Sequence, residues 1–136
     1  ISNTGATTIA ANATTIAKVE AALRAELIVV GPILQADALT LTVYFNHKVT
    51  INKIRSFLTV VIATADSVIT AKNNAGTAMA NGVLTIAVAG VAVGDEDTVS
   101  PTTNNVIGDG EKLQLAIDGG ASAGEAIFFI ECTRTA

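Results

Sequence analysis

Residues 39–45 read Leu39-Thr40-Leu41-Thr42-Val43-Tyr44-Phe45, an alternation of apolar and polar side chains with a period of two. Successive side chains of a strand point to opposite faces, so this pattern predicts a strand with one face in a core and one in water. Val49 and Ile51 continue it after the polar turn Asn46-His47-Lys48. Downstream, "SFLTVVIAT" (56–64), "SVITAKN" (67–73), "GVLTIAV" (82–88), "EKLQLAID" (111–118) and "EAIFFIECT" (125–133) are further strand candidates, rich in β-branched and aromatic residues. Asn-Gly, Gly-Asp, Asp-Gly and Gly-Gly pairs fall between them as turn signals. Several short strands at this spacing predict an all-β fold, an antiparallel β-sandwich or jelly roll, over residues 37–136.

Upstream the period changes. Ala6-Thr7-Thr8-Ile9-Ala10 recurs as Ala13-Thr14-Thr15-Ile16-Ala17, and Ile9, Ile16, Leu23 and Val30 stand seven apart, with Val19 and Leu27 between them. This spacing predicts a short amphipathic helix from about Thr14 to Leu27. Asn12 or Thr14 would cap it, a Glu20–Arg24 pair would support it, and Gly31-Pro32 would end the segment. Residues 1–36 are accordingly expected to form an N-terminal arm containing that helix. It would lie on the domain or a neighbour, or join a self-associating bundle, with Ile9, Ile16, Val19, Leu23, Leu27 and Val30 as its interface. Burying four such side chains contributes about 6–10 kcal/mol, less than the cost of ordering thirty residues at about 1–2 kcal/mol each. The arm therefore needs a surface to order against.

Half of the 136 residues are hydrophobic and only 15% are charged, against roughly 25% for an average domain. A surface so poor in charge suits burial against other subunits. The net charge is −4 and the eight Lys and Arg residues are scattered, so no nucleic-acid partner is expected. The apolar run "ELIVVGPIL" is too short to span a bilayer and has no basic region before it, which argues against a membrane partner and a signal peptide. The chain opens at Ile1 rather than Met, as one with an upstream segment would.

Few residues offer chemistry. Asp95-Glu96-Asp97 is the densest acidic stretch, but a calcium loop counted from Asp95 would need Gly at position six and Glu at position twelve, where Ser100 and Val106 stand. With Pro101 following, residues 94–110 read as a long polar connection whose carboxylates solvate the loop and cap its turns. His47, the single histidine, reads as an exposed turn residue. Cys132, the single cysteine, reads as a small buried or interfacial hydrophobe. One His and one Cys do not make a zinc site. No nucleophile elbow, phosphate loop or dinucleotide fingerprint is present, and a chain without Trp supplies sugar stacking poorly. No catalytic residue, metal or cofactor is expected.

Three pieces carry a resemblance: "VTINKIRSFLTVVIATADSVITAKNN" (49–74), "NGVLTIAVAGVAVGDEDTVSPTTNNVIGDGEKLQLAIDGG" (81–120) and "AIFFIECTRTA" (126–136). Within them, an Ile54-Arg55 pair follows a strand, Ala65-Asp66 turns into the next, and a Gly94-Asp95 loop, Pro101 and Asn104-Asn105 precede a final hairpin. From about Val49 to Arg134, two-thirds of the chain, the sequence resembles the capsid-associated β-domains of tailed bacteriophages, the head decoration (cement) and head-fibre proteins. The resemblance implies a non-enzymatic virion protein on the outer capsid surface. It would be a homotrimer near local three-fold positions, with the major capsid protein as partner. The competing expectation is a fibre or adhesin head that recognises a host glycan or protein.

Overall fold

The computed structural model describes residues 24–135. Nine strands follow in order: β1 (Ala25–Leu34), β2 (Leu39–Tyr44), β3 (Val49–Ala63), β4 (Ser67–Lys72), β5 (Ala78–Ile86), β6 (Glu96–Val99), β7 (Val106–Ile107), β8 (Lys112–Ile117) and β9 (Ala123–Arg134). Among the described residues there is no helix. The strands form two antiparallel sheets. One runs β1-β9-β3-β6, with β7 also pairing the start of β3; the other runs β2-β8-β4-β5. The fold is an all-β sandwich, the architecture that the alternating segments predict.

The alternation places the core. In β2, Leu39, Leu41 and Val43 point inward; in β8, Leu113, Leu115 and Ile117 do. From the opposite sheet, Ala126, Phe128, Ile130 and Cys132 of β9 and Val49, Ile51, Ile54 and Leu58 of β3 meet them in one buried cluster. Each strand keeps its phase except at bulges, where an extra residue flips it. In β5, Met79 is buried at an odd position and Leu84 and Ile86 at even ones. The flip falls at Asn81, whose φ is 55°, and at Gly82, where a Cβ would stand 2.9 Å from that of Met79.

Two sequence expectations need correction. The helix predicted over Thr14–Leu27 cannot extend through its last turn, because Ala25–Leu27 belong to strand β1; residues up to 23 lie outside the described residues. Gly31-Pro32 also does not end the segment. The pair sits inside β1 at a shift of register between Val30 and Ile33. β1 lies at the edge of its sheet, and an edge bulge is where a strand tolerates a residue without an N–H. Gly31 is needed there: φ is 122° and a Cβ would lie 2.9 Å from the Ala126 carbonyl oxygen. Residues 25–34, assigned by sequence to the arm, thus pair with β9 along their length. The connection expected over residues 94–110 is likewise interrupted by two short strands on β3: β6 pairs Ile54–Phe57 and β7 pairs Val49–Thr50.

Candidate functional site

Glu26, on the inward face of β1, gathers a polar cluster at one end of the sandwich. Its Oε2 lies 2.9 Å from His47 Nε2, and its Oε1 accepts from Arg134 Nη2 at 2.6 Å and Nε at 3.2 Å. The other ring nitrogen of His47, Nδ1, is 2.6 Å from Asn46 Oδ1. His47 is therefore not the exposed turn residue expected: it is partly buried and ties the turn after β2 to the first and last strands.

Cys132 Sγ is 4.0 Å from Glu26 Oε2. The carboxylate occupies the position from which an imidazole would have to activate the thiol, and both ring nitrogens of His47 already face oxygen. Burial, reinforced by the negative charge of Glu26, pushes the Cys132 thiol up to about 11, so at neutral pH it stays protonated inside the core. The cluster is an electrostatic clasp. Contacts with His47 and then with Arg134 hold the Glu26 carboxyl below its ordinary value of 4.5, against the opposing effect of desolvation. A carboxylate whose pKa is lowered by folding stabilises the fold above its unfolded-state value and ceases to do so as pH falls through the folded one. Glu26→Gln should therefore cost on the order of 1 kcal/mol at neutral pH, because the clasp is partly open to solvent. The parent chain should lose this increment below about pH 4.5, so that urea midpoints of the two chains converge in acid. Equal midpoints at neutral pH would reject this account.

The acidic stretch is divided among different tasks. Asp95 Oδ2 accepts from the Ala92 N–H at 2.7 Å and caps the turn before β6. Glu96 is exposed, and Asp97 lies opposite Ser56, whose Oγ accepts from the Asp97 N–H at 3.3 Å. Desolvation, and secondarily the charge of Asp95, raises the Asp97 carboxyl above its ordinary value. A hollow of about 250 Å³ lies beside these carboxylates, floored by Ile86, Ala87, Ala89 and Val91. Among the described residues no three His, Cys, Asp or Glu side chains gather as a metal-ligand set. Asp118 and Asp66 are turn caps too: Asp118 Oδ1 accepts from Val68 and Gly120, and Asp66 Oδ1 from Val88.

The outer faces of the two sheets differ in chemistry. On the four-stranded sheet the ladders read Thr40–Ala116–Thr70–Val83, Thr42–Gln114–Lys72 and Tyr44–Lys112, a largely polar surface. On the five-stranded sheet they read Leu27–Glu131–Lys53, Val29–Phe129–Arg55–Thr98, Ile127–Phe57–Glu96 and Leu34–Glu125–Val60. Leu27, Val29 and Leu34 are 54%, 56% and 50% exposed. Arg55 lies over the Phe129 ring, 5.6 Å from its centroid, and pairs with Glu131 at 2.9 Å. Antiparallel sheets with one face in water commonly alternate apolar and polar along each strand. Leu27-Ile28-Val29-Val30 in β1 and Ile127-Phe128-Phe129-Ile130 in β9 break that alternation over four residues each.

Of the six interface residues proposed from the heptad spacing, Ile9, Ile16, Val19 and Leu23 lie outside the described residues. Leu27 and Val30 do not share a stripe. Being three apart on a strand, they face opposite ways: Leu27 lies on the open outer face, and Val30 packs against the core. Sequence reasoning missed Val29, Leu34, Phe57, Ile127 and Phe129 as surface residues. The signal was present in the uninterrupted apolar runs of β1 and β9. Comparison with protein-family models and with curated proteins finds no match to this chain.

Proposed function

We propose that the chain is a structural subunit of a virion, an assembling protein that binds the outer surface of a tailed-phage capsid and stabilises the shell. The observation that carries this reading is the unequal chemistry of the two outer sheet faces. A face that exposes Leu27, Val29, Leu34 and Val60 beside the ion pairs of Glu131 with Lys53 and Arg55 suits a protein surface, since exposed apolar patches mark interaction sites. The Thr- and Lys-bearing face of the other sheet suits water. The low charge of the whole chain and the resemblance of residues 49–134 to capsid decoration domains point the same way.

The reading is tested by adding the purified protein to undecorated capsids. A decoration protein binds and raises the melting temperature of the shell; Val29→Asp, which puts a charge among the exposed apolar side chains of edge strand β1, should abolish both effects. A protein that leaves the capsid unchanged but adheres to host cells is the fibre or adhesin head instead.

A further inference from the structure

Asn81, Asp109 and Asp118 each stand directly before a glycine. The side-chain carbonyl carbon of such a residue can be attacked by the peptide nitrogen that follows, and a glycine there has no Cβ to shield that nitrogen. An asparagine releases ammonia in this step, whereas an ionised carboxylate is a poor electrophile. Asp118 is also held in place, since its Oδ1 accepts from the Val68 and Gly120 N–H groups at 3.0 Å each. Other asparagines are tied and do not precede a glycine. Asn105 Nδ2 donates to the Ile51 and Pro101 carbonyls at 2.9 and 3.1 Å, and Asn52 Nδ2 donates to Thr133 Oγ1 at 2.6 Å. Asn81 has a single long contact among the described residues, from its Nδ2 to Thr102 Oγ1 at 3.3 Å.

The backbone at Asn81 is also out of the ladder. β5 pairs with β4 at Val83–Thr70 and at Ala78–Lys72, so residues 79–82 stand opposite Ala71 alone and have no register partners in β4. A bulge of this kind leaves its extra residues unpaired. Asn81 takes the left-handed φ of 55° there, and both Asn81 and Gly82 are exposed. Attack requires the Asn81–Gly82 peptide plane to turn until its nitrogen meets Asn81 Cγ. Cross-strand pairing resists that turn in the regular part of β5, and the bulge removes it at this one peptide.

We propose that Asn81 is a self-modifying site, converted in the folded protein to aspartate and isoaspartate by the Gly82 nitrogen. The Gly82 N–H gives its proton to solvent as the bond from nitrogen to Asn81 Cγ forms. The Cγ–Nδ2 bond breaks, and Nδ2 leaves as ammonia. Water then opens the five-membered imide. Attack at the side-chain carbonyl gives aspartate, and attack at the main-chain carbonyl gives isoaspartate, so one water enters and one ammonia departs. The place gives the change a consequence. Ala80 joins β5 to the connection between β6 and β7: its N–H donates to the Thr103 carbonyl at 3.2 Å, and its carbonyl accepts from the Thr102 N–H at 3.0 Å. Isoaspartate inserts one more backbone carbon between that bridge and the Val83–Thr70 pair. The seam that ties the edge of one sheet to the other then loosens. None of this depends on the assembly in which the chain works.

The full-length protein is incubated in neutral buffer, folded in one series and unfolded in urea in the other, and sampled by peptide mapping with mass spectrometry. In the folded chain Asn81 is expected to gain one dalton before any other asparagine. Its rate should lie within about ten-fold of that in urea, a barrier difference below about 1.4 kcal/mol. Asn81→Asp supplies the charge without the added carbon and keeps a residue that tolerates a left-handed backbone, so it should unfold close to the parent. The isoaspartate form, separated by ion exchange from the aged protein, should unfold at lower urea than Asn81→Asp. Gly82→Ala is no control, because its Cβ would crowd Met79. A folded chain that keeps Asn81 intact while the unfolded chain is converted overturns the proposal, and so does conversion of another asparagine ahead of Asn81. Equal urea midpoints for the isoaspartate form and Asn81→Asp overturn the loosening of the seam.

Discussion

A chain that starts at Gln35 is expected to lose its cooperative fold, although by strand alternation and turn spacing residues 37–136 read as a complete domain. Starting there deletes β1. Ile28, Val30 and Ile33 pack from β1 against the core, and at the lower end of roughly 1.5–3 kcal/mol per buried aliphatic side chain they contribute about 5 kcal/mol together. The deletion also opens β9 along Glu125–Thr133, where eight residue pairs with β1 are lost, and removes Glu26 from His47 and Arg134. A domain of this size has about 5–15 kcal/mol in total, so most of the margin goes. A chain that starts at Arg24 keeps β1, the clasp and the core, and should melt close to the parent. Far-ultraviolet circular dichroism and urea titration of the two truncated chains decide the matter. If the shorter one unfolds cooperatively within a few degrees of the longer, β1 is an appendage and the boundary near residue 36 is right after all.

The contrast shows what local pattern carries. β2, β8 and β9 were legible because their inward residues stand two apart and their ends carry turn formers. β1 was hidden by a coincidence of spacing: Ile9, Ile16, Leu23 and Val30 are seven apart, and a helical stripe drawn through them runs into a segment that is strand. The β-branched run Ile28-Val29-Val30 and Ile33 favoured the strand, and Gly31-Pro32 looked like a stop because edge position is not visible in a sequence. β6 and β7 were missed for another reason. They have four and two residues, and what fixes them is fifteen-residue β3, which offers a partner edge far from them along the chain. The polar clasp joins Glu26, His47, Cys132 and Arg134 across 108 positions, beyond any local signal. The outer apolar face was encoded in the two-sided runs of β1 and β9, but its meaning depends on which strands neighbour each other.

Gln35 is the polar residue with the largest expected role in the core, and after a strand it reads as an ordinary loop residue. It is fully buried, in the link that carries the chain from one sheet to the other. Its Nε2 donates to the Ile33 carbonyl at 2.8 Å, its Oε1 accepts from Ser67 Oγ at 2.7 Å, and its backbone N–H donates to Gly124 at 2.9 Å. Ser67, at the start of β4 in the other sheet, is equally buried. The side-chain pair therefore ties the two sheets at one end of the sandwich. Gln35→Ala leaves the buried Ser67 hydroxyl without its Gln35 partner, removes the amide's bond to the Ile33 carbonyl and opens a cavity. At about 1–3 kcal/mol for an unsatisfied buried group plus the packing loss, the expected cost is about 3–4 kcal/mol. Ser67→Ala strands one amide oxygen and should cost less, about 1–2 kcal/mol. The pair Gln35→Leu with Ser67→Ala removes both partners while keeping much of the volume, so it should lie closer to the parent than Gln35→Ala does. Urea midpoints of the four chains at one pH measure all of this. A Gln35→Ala chain within about 0.5 kcal/mol of the parent, the usual range for a surface substitution, would mean that water replaces the amide and that the sheets are held by their apolar side chains alone.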